Sequence, residues 1–282
     1  MTDHAPHDGP CDHDHDHGSE SYENLLVERG DGVVVVKINR PTKMNALSRD
    51  TLLELDCVIG DAQDDPDVGA IIVTGGDTGK KPSFVAGADI AEMSDMSVLE
   101  LRAHGRLGQE VFAGIENSAK PVLAAINGFA FGGGLELAMA CHVRYAAKEA
   151  LLGQPEINLG LIPGFAGTQR LARLVGRGRA LEILLTGDPI GADEAYRLGL
   201  VNKVCDGSAL LLEAQALAAK LAGKAPVARM AIIDAVVRGG SLPFADAQAL
   251  EADLFGMMAS TEDTKEGLAA FLAKRKPTWK GC

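Results

Sequence analysis

Residues 121–147 read PVLAAINGFAFGGGLELAMACHVRYAA. The run VLAAI is apolar, bounded by Pro121 before it and by Gly128 after it. That pattern predicts a buried strand over 121–130 that ends near Gly128. Three glycines, Gly132, Gly133 and Gly134, then precede LELAMA, whose spacing is helical, and a short strand follows. Glu136 stands alone inside the apolar stretch. A lone carboxylate is costly to bury unless something pairs with it or uses it.

Working outward, the same alternation recurs. VVVVKINRP (33–41) reads as a buried strand between Asp31-Gly32 and Pro41, and GAIIVTGG (69–76) as another. SRDTLLELDCVIGDAQDDP (48–66) reads as a helix with Ser48 as N-cap and Leu52, Leu55, Val58 and Ile59 on one face. Strands alternating with helices predict an α/β domain. After Gly207 the strand signal disappears, and four helix-like stretches rich in Ala, Leu and Met follow, each punctuated by Gly or Pro. The expected organisation is a polar tail over 1–20, a core over 21–206, and a helical region over 207–282 that serves oligomerisation or caps its own domain.

Composition narrows the function classes. The 282 residues are 46% hydrophobic with a formal net charge of −12. An acidic chain offers no electrostatic footprint for nucleic acid, which argues against RNA binding and against a polybasic membrane contact. No apolar run is long enough to span a bilayer. The start has neither the apolar segment of a secretory signal nor the arginines of a transit peptide. Five scattered cysteines suit free thiols in a reducing cytoplasm.

Two further stretches carry chemistry. GQPEINLGLIPGFAGTQR (153–170) is dense in Gly and Pro and holds one acid, Glu156. If Glu136 and Glu156 face one cavity, burial and mutual repulsion separate their proton affinities and let them divide acid and base work. Their spacing of twenty residues does not itself bring them together. In SFVAGADIAEM (83–93) a strand end runs into Ala86-Gly87-Ala88, and Asp89 begins a helix. Backbone N–H groups at this bend and at the triple glycine suit a two-donor oxyanion hole. The alternative reading of each is a tight turn.

KPVLAAINGFAFGGGLELAMACHVRYAAKEALLGQPEINLGLIPGFAGTQRL (120–171) resembles the core signature of the enoyl-CoA hydratase, or crotonase, family. So do RPTKMNALS (40–48), FVAGADIAEM (84–93), LTGDPIGADEAYRLGLVNKV (185–204) and FLAKRKPTWK (271–280), in the family's order. The resemblance runs from about residue 22 to the end. It implies a spiral of ββα units followed by a helical trimerisation region, assembled as a homotrimer or homohexamer. It implies an acyl-CoA thioester substrate, with CoA part of the substrate and no further cofactor or metal.

By position, the resemblance assigns the oxyanion donors to the N–H groups of Ala88 and Gly133. It assigns water activation at C3 to Glu136 and proton delivery to C2 to Glu156, with a shared or reversed division of these roles as the alternative, and a further water contact to the Gly164 N–H. Ala86, Ala88, Asp89 and Ile90 match the CoA-contacting segment. Phe271 and Lys274 match residues that touch the nucleotide end of CoA, often across a subunit boundary. Both glutamates together favour a hydratase over an isomerase, with a branched or cyclic enoyl-CoA as an alternative substrate.

Other residues have plainer readings. Met93, Met96, Leu99 and Leu107 line the acyl pocket or form ordinary helix core. His104 and His142 read as structural, and Arg170 and Arg173 as ion-pair or interface residues. In DHDHDHG, His13, His15 and His17 alternate with Asp12, Asp14 and Asp16, with His4, His7 and Cys11 nearby. This spacing is not that of a closed metal site; a metal-storage or sensing role for the tail is the non-enzyme alternative.

Overall fold

The computed structural model of the chain describes residues 22–79 and 81–282. Its strands are β1 (Leu25–Gly30), β2 (Val33–Ile38), β3 (Ala70–Gly75), β4 (Ser83–Val85), β5 (Val122–Ile126), β6 (Phe129–Phe131), β7 (Val143–Ala147), β8 (Leu151–Gly153), β9 (Ile190–Gly191) and β10 (Lys203–Cys205). Its helices are α1 (Arg49–Asp64), α2 (Ile90–Met93), α3 (Val98–Glu116), α4 (Gly133–Ala140), α5 (Gly167–Val175), α6 (Arg177–Thr186), α7 (Ala192–Arg197), α8 (Leu210–Ala222), α9 (Pro226–Gly239), α10 (Phe244–Met258) and α11 (Glu262–Leu272). The His- and Asp-rich tail, with its metal reading, lies outside the described residues.

Two sheets stack the chain. The larger runs β1-β2-β3-β5-β7-β10 and the smaller β4-β6-β8-β9. β1 and β2 form an antiparallel hairpin closed by Asp31 and Gly32, both at positive φ (50° and 72°). Two successive left-handed residues give a turn whose twist matches the flanking strands. From β2 onward the larger sheet is parallel, and β2, β3 and β5 are buried on both faces, hence the unbroken VVVV and AIIV runs.

Each turn of the spiral places one strand in each sheet: β3 then β4, β5 then β6, β7 then β8. The expectation of one strand over 121–130 is therefore corrected. The chain breaks at Asn127-Gly128 and crosses between sheets. A Cβ on Gly128 would lie 2.0 Å from Pro82 O, and one on Gly75 would lie 1.9 Å from Ser83 O. Only glycine lets the two crossings approach so closely. Asn127 locks them: the Gly75 N–H donates to its Oδ1 at 3.2 Å, and its Nδ2 donates to Gly75 O at 2.9 Å.

Helix α1 follows its sequence signals. Ser48 Oγ accepts from Thr51 N at 3.2 Å, and Leu52, Leu55, Val58 and Ile59 are buried. Each such side chain contributes about 1.5–3 kcal/mol of burial. After β10 the chain is helical. Helix α8 buries Leu210, Ala214 and Ala218, and a Cβ on Gly69 would meet the Ala222 Cβ at 2.6 Å. It thus belongs to the layer covering the large sheet. Beyond it, α10 and α11 leave Phe244, Phe255 and Phe271 78%, 80% and 82% exposed. No helix among the described residues is long and apolar enough to cross a membrane.

Candidate active site

The small sheet assembles the site. Strands β4, β6 and β8 are parallel neighbours, so the segments leaving their C-terminal ends emerge side by side. Those segments are 86–88, 132–136 and 154–156. They open into a cavity of about 650 Å³ lined by Ala86, Ala88, Gly133, Glu136, Glu156 and Gly164 among others. Twenty residues of separation thus become one shared cavity because one spiral turn returns the chain to the same sheet end.

The two expected N–H donors, Ala88 and Gly133, lie close together. A Cβ on Gly133 would lie 3.4 Å from the Ala88 nitrogen, so any side chain there would crowd the space beside that N–H. Among the described residues no acceptor takes either the Ala88 or the Gly133 N–H. The flanking amides, by contrast, build the frame: Ala86 N donates to Met44 O at 3.2 Å, Asp89 N to Leu47 O at 2.8 Å, and Gly132 N to Gly153 O at 3.0 Å. Helix α4 begins at Gly133, so its positive dipole end also points at this place.

Glu136 lies on α4 and is 1% exposed. Its Oε1 accepts the N–H groups of Phe165 at 2.8 Å and Gly167 at 2.6 Å. The loop supplying them is fixed by Arg170, whose Nη1 donates to Phe165 O at 2.9 Å while its Nη2 pairs with Glu116 at 2.8 Å. Burial pushes the Glu136 pKa from 4.5 up to about 7; Glu156 repulsion adds to this, and the two N–H groups and Arg170 oppose it. The site therefore holds this carboxyl ready to gain or lose a proton near neutrality.

Glu156 sits on the short 3₁₀ turn Pro155–Leu159 directly after β8. Gln154, with its amide nitrogen turned toward the carboxylate, donates to Oε1 at 2.9 Å and Oε2 at 3.2 Å. Burial raises the Glu156 pKa as well. The carboxylate abuts Gly132, which has φ 49°; a Cβ there would lie 2.9 Å from Glu156 Oε1. Gly164 lines the cavity, and its carbonyl accepts from Gln109 Nε2 at 2.8 Å. Two weakly acidic carboxyls and two unengaged N–H groups around one cavity can move protons to and from a substrate whose carbonyl oxygen gains charge.

The other expected residues separate into groups. Ala86 and Ile90 line the cavity, whereas the Asp89 side chain is engaged in the frame: Oδ1 accepts from Ala91 N at 3.2 Å and Oδ2 pairs with Arg40 at 3.0 Å. Phe271 and Lys274 lie at the end of α11, away from the cavity lining, with Phe271 82% exposed. Met93 lines the cavity, while Leu99 is exposed and Leu107 packs on the core. Met96 is not part of the lining. Arg173 donates to the Gln169 carbonyl. His142 is structural, taking the Val122 N–H on Nδ1 at 2.9 Å and meeting Glu116 O from Nε2 at 3.0 Å. His104 lines the cavity instead.

Sequence reasoning missed Phe165, Gln154 and Gly132 as parts of the site. The density of Gly and Pro across 153–167 was the only signal that this loop wraps around something. Among the described residues no cluster of three or more His, Cys, Asp or Glu is placed to hold a metal ion.

Comparison with known proteins gives the family. The family model described as enoyl-CoA hydratase/isomerase matches residues 28–282. A crotonyl-CoA hydratase of Syntrophomonas wolfei is 50% identical over 256 residues, covering 91% of this chain and 97% of that protein. A short-chain-enoyl-CoA hydratase of Clostridium acetobutylicum is 50% identical over 253 residues, covering 90% and 96%. The crystal structure of an enoyl-CoA hydratase from Bacillus anthracis superposes with a TM-score of 0.87 at 37% identity, covering 92% of this chain and all of that one. Two sheets joined by a spiral, a carboxylate pair at one sheet end and a family match over nearly the whole chain lead to one conclusion: this chain belongs to the enoyl-CoA hydratase/isomerase family.

Proposed function

We propose that this protein hydrates trans-2-enoyl-CoA thioesters to 3-hydroxyacyl-CoA. The observation that carries the reading is the meeting of Glu136 and Glu156 in one cavity with the Ala88 and Gly133 N–H groups. The thioester oxygen is seated against the two N–H groups. Ionised Glu136 takes a proton from water as the water oxygen bonds to C3. The C2=C3 electron pair moves to the thioester carbonyl, and the resulting enolate oxygen is held by the two amides. The enolate collapses by taking a proton from Glu156 at C2. Glu136 then carries the proton and Glu156 has lost one; exchange with solvent resets the pair. The roles reverse in dehydration. Rigid backbone donors suit this step because they need no reorganisation as charge develops.

The step calls for proton transfer and an oxyanion stabiliser, both from the chain itself, so the reading assigns no cofactor and no metal; CoA enters as part of the substrate. The apolar surface on α10 and α11 supports assembly into a trimer or hexamer, with Phe271 and Lys274 of one protomer meeting the nucleotide end of CoA held by another. The odd number and scatter of the five cysteines support a reducing cytoplasm.

The test is loss of enoyl-thioester absorbance with crotonyl-CoA for wild type, Glu136→Gln and Glu156→Gln. Wild type should turn over, and each variant should lose roughly 10²–10⁴-fold in kcat while still binding CoA. A variant retaining wild-type kcat refutes its assigned role, and an inactive wild type across a panel of enoyl thioesters refutes the reading.

A further inference from the structure

The Ala88 N–H takes its direction from a segment outside the cavity lining, residues 44–47. Leu47 and Ala88 form an isolated parallel bridge: the Leu47 N–H donates to Gly87 O at 2.8 Å, and the Asp89 N–H donates to Leu47 O at 2.8 Å. Both neighbours of Ala88 are thus bonded to Leu47. In a parallel bridge the residue between two such bonds turns its own N–H and C=O to the opposite edge. On that edge β6, the parallel neighbour of β4, runs into Gly133, whose Cβ would lie 3.4 Å from the Ala88 nitrogen. The aim of this donor therefore depends on where residues 44–47 lie.

Two side chains fix that segment. Met44 (φ 53°) and Asn45 (φ 61°) are successive left-handed residues, a conformation rare outside glycine and best tolerated by asparagine among the larger residues. Asn45 is fully buried, and every polar atom of its side chain is engaged. Its Oδ1 accepts from Arg40 N at 3.1 Å, and its Nδ2 donates to Gly76 O at 3.0 Å and to Ser83 O at 2.9 Å. It thereby ties the turn to the end of β3 and to the start of β4 at once. The Ser83 hydroxyl donates back to Met44 O at 2.8 Å. Arg40 spans the bridge itself: Nη1 donates to Ala46 O at 2.6 Å, and Nη2 donates to Asp89 Oδ2 at 3.0 Å. Neither Arg40 nor Asn45 lines the cavity.

We propose that Asn45 and Arg40 are positioning residues for hydration, which hold the Ala88 N–H on the enolate oxygen through the Leu47–Ala88 bridge. This inference rests on the hydratase reading above. A hydrogen bond weakens steeply with misalignment, and a donor to a developing oxyanion contributes because it is already in place. Loosening residues 44–47 leaves the donor present and removes its aim.

The experiment compares wild type with Asn45→Gly, Arg40→Met and Val58→Ala. Glycine keeps the left-handed backbone and removes the Asn45 clamp; methionine removes both guanidinium bonds. Val58→Ala takes volume from the core face of α1, outside these hydrogen bonds, and serves as the control for stability alone. One readout is kcat and KM with crotonyl-CoA. The other is the apparent pKa at which bound acetoacetyl-CoA ionises, read from the near-ultraviolet absorbance of its enolate, which carries charge on the thioester oxygen as the hydration intermediate does. Asn45→Gly should lower kcat by about tenfold or more with KM changed by less than about threefold, and should raise the enolisation pKa by about one unit or more, since one unit is a tenfold loss of stabilisation. Arg40→Met should move both readouts in the same direction by smaller amounts. Val58→Ala should lower the urea midpoint and leave both readouts at their wild-type values. Wild-type kcat and enolisation pKa in folded Asn45→Gly and Arg40→Met overturn the proposal, as does an equal change in Val58→Ala. If Asn45→Gly does not fold, Arg40→Met decides by the same criterion. A wild type that hydrates enoyl thioesters, with both variants equal to it, removes this inference alone; a wild type that hydrates none removes the hydratase reading and this inference with it.

Discussion

Replacing Glu136 by glutamine should stabilise the protein while disabling it, and the gain should appear only as pH rises. Glu136 titrates near 7 in the folded chain against an ordinary 4.5. Its folded pKa is raised, so the stability present below pH 4.5 is lost as pH climbs through about 7. At about 1.4 kcal/mol per pH unit, the full loss is about 3 kcal/mol. Glutamine is neutral at every pH and escapes this loss. It also fits, because Oε1 alone accepts both loop N–H groups, and an amide oxygen can do the same. The assay is urea unfolding of wild type and Glu136→Gln at about pH 5 and about pH 8.5, at one protein concentration. The variant should gain about 2.5 kcal/mol relative to wild type between the two conditions, since part of the loss has already occurred at pH 5. A difference that stays constant with pH would refute the reasoning, because it would mean that burial does not hold this carboxyl in its neutral form.

Three further outcomes follow from the same geometry. The acid limb of wild-type kcat/KM for hydration should have its midpoint near 7, where Glu136 ionises, and this limb should vanish from the residual rate of Glu136→Gln; a limb near the ordinary carboxylate range would mean that burial does not raise the Glu136 pKa, and a limb that persists in Glu136→Gln would remove Glu136 as the base. Gly132→Ala places a Cβ 2.9 Å from Glu156 Oε1 at φ 49°, so kcat should fall by roughly 10²-fold or more as that carboxylate is displaced, which steady-state kinetics with crotonyl-CoA checks. Arg170→Met removes the guanidinium that joins Phe165 O to Glu116, and should cost roughly 1–3 kcal/mol in urea unfolding together with a drop in kcat; unchanged kcat would mean that the loop holds Glu136 without it.

Much of the local structure was legible from residues. The valine run of β2, the Ser48 cap of α1 and the switch to helices after β10 follow from propensity, capping and periodicity. The break at Asn127-Gly128 was not legible, because VLAAI and FAF are equally apolar and nothing local says that they join different sheets. Its cause is the contact of Gly128 with Pro82, far away in sequence.

The sequence by itself determined the α/β class, the two isolated acids and the glycine bends beside them, since composition and spacing are local properties. Tertiary structure alone decided that Glu136 and Glu156 share a cavity, that Phe165 and Gly167 hold the first and Gln154 the second, and that the Ala88 and Gly133 N–H groups meet no acceptor among the described residues. The physical reason is the parallel order of β4, β6 and β8, which returns the chain to the same sheet end on every turn. A proton affinity near neutrality is likewise not a property of a glutamate; it arises where burial outweighs the N–H groups that favour charge.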